Sequence, residues 1–419
     1  MFELHSICPD YLPIAVVAFC ALLVLLLYML RWHRGRLAAK YAGWQHEAQQ
    51  VEVATHDAYY GGQAKGRADY PKVSIVVPAC NQLADLQFQL PRLLAQRYAG
   101  KFEVIVADQL SDDGTEEYVK HLQQEHPNLR STFVPATSRH IELRKLAVTL
   151  GIKAAWSDWV IVVNPETSPD TLDWLQHYAE NLGAELDFVE AYYNYEDDGS
   201  LAARRAILER VQQFGLRLQA FESGVMLGCE TANFAVRRSA FVAGPGFSDS
   251  LCLPFGEEDL YATCQVDPRR AAFLASPDTR LTEEMPATSW LRTQRVRHAE
   301  VVRHYPARAR RYLWRERWAD VCLWLFMLSG SGYVGWRVAG DLILNAYNSA
   351  HLWTDAAMLV LWCVVVMAPI LSLRRSLKAL KERRYGLYVP LSDALRPLRG
   401  FYNHLSRRLR RRNFVRRYL

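Results

Sequence analysis

Four short apolar runs constrain this chain most. They are Val73–Val77 (VSIVV), Phe102–Ala107 (FEVIVA), Thr132–Val134 and Trp159–Val163 (WVIVV). Each is followed by a stretch with helical spacing, at about 83–98, 114–124, 141–155 and 169–181. The first, second and fourth runs are mostly apolar rather than alternating, broken by Ser74 and Glu103, so each is read as a strand covered on both faces. Strands alternating with amphipathic helices predict an α/β domain built on a mostly parallel sheet. In such sheets ligands bind beyond the carboxyl ends of the strands. The residues that immediately follow each run are therefore the ones to read for chemistry.

Both ends of the chain read differently. Tyr11–Leu30 carries no charge, and at ~1.5 Å per residue it is long enough for a ~30 Å hydrocarbon core. Arg31, Arg34 and Arg36 follow it, which suits an uncleaved anchor better than a signal peptide. Two further apolar blocks, Ala319–Trp336 and Ala356–Leu373, have basic residues before the first and after the second. The expectation is about three transmembrane helices, with the α/β domain on the cytoplasmic side of a bacterial-type inner membrane. A buried hairpin is the alternative for the last two blocks.

The resulting segments are an anchor at 1–36, a linker at 37–70, the α/β domain at 71–285, interfacial helices at 286–317, two spans at 318–373 and a basic tail at 374–419. The tail reads as an amphipathic helix on anionic lipid or as a disordered charged stretch. The net charge of +6 lies in runs beside the apolar blocks. That placement points to membrane lipids as partners and away from nucleic acid. The eight cysteines form no CxxC or Cys/His cluster, so a zinc site is excluded and the thiols read as reduced.

Four groups could carry chemistry. Asp108-Gln109-Leu110-Ser111-Asp112-Asp113-Gly114-Thr115 follows the second run. It offers groups for a nucleobase and ribose, and equally reads as a capped helix start. Asn164-Pro165-Glu166 follows the fourth run. Its carboxylate could hold Mg²⁺ or Mn²⁺, while its proline suits a plain turn. Glu257, Glu258 and Asp259 after Gly256 could raise one another's pKa for general-base work, or simply favour a helix start. Gln294, Arg297 and His298 could clamp a diphosphate, or flank a membrane segment.

In order and spacing these groups resemble the processive and lipid-linked branch of the family-2 inverting glycosyltransferases, which have a GT-A fold. The resemblance runs from about Val73 to His304. It is carried by VSIVVPACNQ, EVIVADQLSDDGTEEYV, LRKLAVTLGIKAAWSDWVIVV, NFAVRRSAF, GEEDL and QRVRH. It implies a nucleotide-sugar donor and a lipid-linked or glycan acceptor. Asp108 and Gln109 would meet base and ribose, with Arg144 or Lys145 near base or phosphate. Asn164 would contact the donor and Glu166 the metal. Glu258, with Glu257 as competitor, would deprotonate the acceptor. Gln294, Arg297 and His298 would hold diphosphate and acceptor.

The chain departs from the family at three points. Asn164-Pro165-Glu166 replaces Asp-x-Asp, Gln109 replaces an Asp, and Glu replaces the usual catalytic Asp. Two readings follow: an active inverting transferase, or a degenerate subunit of a polysaccharide or glycolipid assembly. Oligomeric or assembly partners fit either.

Overall fold

The computed structural model describes residues 33–42, 70–135, 143–229, 232–251, 253, 256–344, 352–383, 385–386, 388–389 and 402. Helix α1 (33–42) precedes the alternating region. That region runs β1 (Val73–Ala79), α2 (Leu83–Leu94), β2 (Phe102–Asp108), α3 (Thr115–Glu125), β3 (Leu129–Phe133), α4 (Leu143–Ala154) and β4 (Trp159–Val163). Next come β5 (Thr167–Pro169), α5 (Trp174–Ala179), β6 (Phe188–Ala191), β7 (Tyr193–Tyr195), α6 (Leu201–Glu222), β8 (Asn233–Arg237), α7 (Arg238–Ala243) and α8 (Glu257–Gln265). The described elements close with β9 (Ala271–Leu274), β10 (Leu281–Glu283), α9 (Thr288–Val301), α10 (Ala307–Leu344) and α11 (Leu352–Ala379).

The larger sheet has the order β3-β2-β1-β4-β8-β6-β9. β1 pairs in parallel with both β2 and β4, and β2 with β3. β8 runs antiparallel to β4 and β6, so the sheet is mixed. The mostly apolar runs are explained by the two faces. Val76, Ile105, Val160 and Val162 enter one core with residues of α4 and α6. Ile75, Val77, Val104, Val106 and Ile161 enter the other with residues of α2 and α5. Because side chains alternate across a strand, a run buried on both faces is apolar except where polar groups satisfy one another, as buried Ser74 does by donating to Glu103 at 2.6 Å.

Chain order reverses about β1: β2 and β3 lie on one side of it and β4 on the other. A crevice opens outside the carboxyl ends at such a switch point. β1 runs to Ala79 along β2, while its pairing with β4 ends at Val76. Pro78 therefore lies beyond the β4 ladder, where a missing N–H removes no bond on that side. A second, three-stranded sheet, β5-β10-β7, begins directly after Glu166.

The expectation of membrane spans is corrected. Among the described residues, no helix is long and apolar enough to cross a membrane. The block at 11–30 lies outside the described residues, and the other two fall within α10 and α11. The multi-pass inner-membrane placement falls with them. The first turns of α10 are charged, with Arg308, Arg310, Arg311, Arg315, Glu316 and Arg317. The second half of α11 gives its apolar residues to the domain. Ile370, Leu373, Leu377 and Leu380 are buried in the same core as β4 and α6. Polar contacts fix this packing too. Gly35 N donates to Ser372 Oγ at 3.1 Å, and Arg34 pairs with Glu316 and donates to Gln219.

Candidate functional site

The turns after β1 and β2 lock together. Asn81 stands at φ 52° and Leu110 at φ 60°, both in the left-handed region. Asn81 N donates to Ser111 Oγ at 3.0 Å, and Asp112 N donates to Asn81 Oδ1 at 2.9 Å. Asp108 accepts from the Ser111 hydroxyl and backbone N–H, which fixes its carboxylate at the end of β2. Asp113 accepts from Leu83 N at 2.8 Å and from Thr115 Oγ1 at 2.7 Å. Asp113 thus ties the starts of α2 and α3, and these bonds, the Thr115 hydroxyl first, hold its carboxyl below the usual range. Gln109 is buried, with its N–H donating to Ala79 O at 2.9 Å.

Asn164-Pro165-Glu166 forms a tight turn, as its proline suggests. Thr167 N and Oγ1 both donate to Asn164 O, at 3.1 and 2.8 Å. Gln89 Nε2 also donates to the Asn164 and Thr167 carbonyls. The turn still presents polar side chains. Glu166 is exposed and accepts from Gln82 at the end of β1. Asn164 Oδ1 accepts from Arg144 Nη2 at 2.8 Å. The same Arg144 nitrogen lies 3.1 Å from Glu258 Oε1. One guanidinium therefore joins the end of β4 to the acidic start of α8, elements far apart in the chain.

The three carboxylates after Gly256 do not share one environment. The Glu258 side chain has 0% exposure and faces Arg144. Asp259 points toward α9. Its Oδ1 accepts from Tyr305 Oη at 2.9 Å and from Cys229 N at 3.1 Å, and its Oδ2 lies 3.2 Å from His298 Nδ1. Burial, and next the Asp259 charge, push the Tyr305 hydroxyl far above its ordinary range, so it stays protonated and donates. His298 is half exposed, so the Asp259–His298 pair borders solvent. The Glu257 side chain lies outside the described residues.

Gly228 makes room for this arrangement. It stands at φ +73°, and a Cβ there would sit 1.9 Å from Asp259 Oδ1 and 2.6 Å from Tyr305 Oη. Gly228→Ala is expected to destabilise by at least about 1–2 kcal/mol from backbone strain alone. It should also displace the Asp259 carboxylate. A thermal melt checks the first effect, and loss of any Asp259-dependent activity checks the second.

The geometry brings Arg144, Asn164 and Glu258 together, and Asp259 with His298. Lys145 goes elsewhere. It is fully buried, and its Nζ donates to the carbonyls of Leu253 at 2.7 Å and of Ser250, so it holds the loop before α8. Gln294, Arg297 and His298 all lie on α9, at spacings of three and four that share a face. Asp259 and Tyr305 were not singled out in the sequence, although Asp259 belongs to the run that was. For a divalent cation the fit is modest but real. Glu166 offers one exposed hard oxygen ligand, and a magnesium-like ion commonly takes one or two carboxylates plus substrate phosphates. Among the described residues there is no cluster of three or more His, Cys, Asp or Glu side chains.

Residues 74–243 match the model of Glycosyl transferase family 2. This segment, about two fifths of the chain, is similar to family-2 glycosyltransferase domains. The match begins inside β1 and ends with α7, so Asp108, Arg144, Asn164 and Glu166 lie within the matched segment, while α8 and α9 follow it. Chondroitin synthase of Escherichia coli is 29% identical over 140 residues, 32% of this chain but only 20% of that protein. Among solved structures, a mannosyltransferase from Pyrobaculum calidifontis in complex with GDP-Man and Mn²⁺ aligns at TM-score 0.43 and 18% identity. It covers 79% of this chain and 98% of that one. S. aureus TarS 1-349 in complex with UDP-GlcNAc aligns at TM-score 0.38 and 14% identity, covering 82% and 92%. At these scores the structural likenesses add nothing to what the sheet itself establishes.

Proposed function

We propose that this α/β domain moves a sugar from a nucleotide-sugar donor to a hydroxyl of a glycan or lipid-linked acceptor, with inversion at the anomeric carbon. One observation carries this reading: Arg144 bridges Asn164 and Glu258, so the end of β4 and the acidic start of α8 face one crevice. In this reading Asp108 and Gln109 border the nucleoside. Arg144 meets the diphosphate, to which a guanidinium offers forked donors. Glu166 would hold Mg²⁺ or Mn²⁺, which when bound offsets charge on the departing diphosphate. The chondroitin synthase relative suits such a substrate class.

Asp259, rather than the buried Glu258, takes the acceptor proton in this proposal. Of the two described carboxylates of the run it is the one not fully buried, and Tyr305 and the Cys229 N–H orient it. The acceptor oxygen attacks the anomeric carbon as its proton passes to Asp259. The bond from that carbon to the diphosphate oxygen breaks, and the nucleoside diphosphate leaves. Gln294, Arg297 and His298 would line the acceptor and diphosphate side. The full burial of Glu258 favours one second reading, a subunit that binds nucleotide without turning it over.

Calorimetry with UDP and GDP tests the first step, and a transfer assay over common nucleotide sugars tests the second. Arg144→Ala should weaken nucleoside-diphosphate binding at least about tenfold, the loss of one charge-assisted contact. Glu166→Gln should remove any stimulation of that binding by Mg²⁺ or Mn²⁺. Absence of nucleotide binding in the parent chain would overturn both readings. Binding without turnover for any donor would leave the non-catalytic one.

A further inference from the structure

Helix α2 turns a row of polar side chains toward the segment that carries Glu166. Gln89 and Arg92 share a face of α2, and Gln96 follows the end of the helix. Gln89 Nε2 donates to the carbonyls of Asn164 and Thr167. Arg92 Nη1 donates to Ser168 Oγ at 3.1 Å. Gln96 Nε2 donates to Thr171 O, and Gln96 Oε1 accepts from Leu175 N, both at 3.0 Å. The row thus follows the chain from the end of β4 to the start of α5.

Gln89 is the unusual member of this row. It is 1% exposed and lies among Leu86, Leu90 and Leu93 of the same helix, all fully buried. An apolar side chain there would bring no desolvation cost. The amide is only half satisfied, since its Oε1 has no hydrogen-bond partner among the described residues. Packing alone therefore does not call for a glutamine. Its two N–H groups, however, meet carbonyls that stand on either side of Pro165-Glu166. Thr167 N closes the same turn onto Asn164 O at 3.1 Å. The backbone is thus held at both ends, and the Glu166 side chain is left exposed between them.

This turn offers one carboxylate rather than two, so its placement matters more. A glutamate also has one more rotatable bond than an aspartate, and it can meet a cation in a fixed place only if its own backbone is fixed. Groups that orient a metal ligand without touching the metal tune its affinity strongly. We propose that Gln89 is a positioning residue, which clamps the Asn164–Thr167 turn so that Glu166 meets the divalent cation of a nucleoside diphosphate. This inference rests on the reading of Glu166 given above. Arg144 is held independently, because Glu258 Oε1 lies 3.1 Å from it. Loss of the clamp should therefore act on metal-dependent binding and spare the contact that Arg144 makes alone.

The test is calorimetry with UDP and with GDP on the full chain, each with and without Mn²⁺. In the parent chain Mn²⁺ should tighten nucleotide binding. Gln89→Met keeps the length of the side chain and loses its donors, and in it that enhancement should fall about tenfold or more. Metal-free affinity should stay near the parent's. A fold merely loosened would lower both affinities together, so their ratio separates positioning from stability. A parent chain with no Mn²⁺ enhancement would overturn the reading of Glu166, and the role of Gln89 with it. An enhancement present in the parent and kept in Gln89→Met would overturn Gln89 alone. Should Gln89→Met not fold, hydrogen exchange in the parent decides. The Thr167 amide should be protected as strongly as those of β4, and fast exchange there would overturn the clamp.

Discussion

Asp259→Asn is expected to lower sugar transfer by about 10²–10⁴-fold, the usual contribution of a positioned general base, while nucleoside diphosphate still binds. The substitution is nearly isosteric. The new amide oxygen can accept from Tyr305 Oη and Cys229 N as the carboxylate does, so the geometry is kept and the basicity is lost. The loss should therefore fall on kcat and leave the donor's KM within a few-fold. Glu258→Gln should behave differently. It weakens the tether on Arg144 and should act mainly through donor binding. Steady-state kinetics on both variants separates the two carboxylates. A near-normal Asp259→Asn beside a dead Glu258→Gln would return the base role to Glu258.

That reassignment marks where the sequence stops being legible. β4 was readable to the residue, and β1 and β2 began where expected, because a strand covered on both faces leaves a mostly apolar run. β3 was placed about three residues late. Leu129–Phe133 is an edge strand with most side chains exposed, so it carries polar residues and no apolar run. The helix expected from 169 begins only at Trp174. The residues before it pair with Leu281–Glu283, a partner more than a hundred positions away that no local pattern reveals.

The site divides in the same way. Strand-end placement put Asp108 at the end of β2 and Asn164 and Glu166 just after β4, as the structure has them, since the apolar runs mark where these strands end. It could not tell which of three adjacent carboxylates turns inward, because the rotation of α8 is set by Arg144 on one side and by Tyr305 and His298 on the other. The family resemblance put Arg144 or Lys145 near base or phosphate. The Lys145 Nζ instead satisfies two backbone carbonyls in a buried loop, a contact specified only by tertiary packing. The apolar blocks near the C-terminus failed as membrane spans for a related reason. Burial in a protein core and burial in lipid select the same residues, and Ile370 and Leu373 serve the first.

The largest stability effect is expected at a pair remote from this chemistry. Arg217 on α6 reaches across the core to Glu190 on β6, with Nε 3.0 Å from Oε1 and side-chain exposures of 10% and 0%. Glu190 lies between Phe234 of β8 and Phe273 of β9 in the sheet register, so its carboxylate has apolar neighbours on both sides. The Cys229 thiol also lies within this field. Burial first, and then the Glu190 charge, push it far above its ordinary range. Arg217→Met would keep much of the packing volume and leave the carboxylate buried beside a thioether.

Breaking a buried pair from one side typically costs about 3–5 kcal/mol, because an uncompensated charge remains. Against a total stability of roughly 5–15 kcal/mol that is a large fraction. For a domain of this size it corresponds to a fall in Tm of roughly 10 °C. Removing both charges, as Glu190→Gln with Arg217→Met, should recover most of the loss, since the desolvated carboxylate is then gone. A double-mutant cycle by thermal or urea unfolding measures the coupling directly. If Arg217→Met alone melts within about 2 °C of the parent chain, less than ~1 kcal/mol was at stake and the pair does not hold α6 to the sheet.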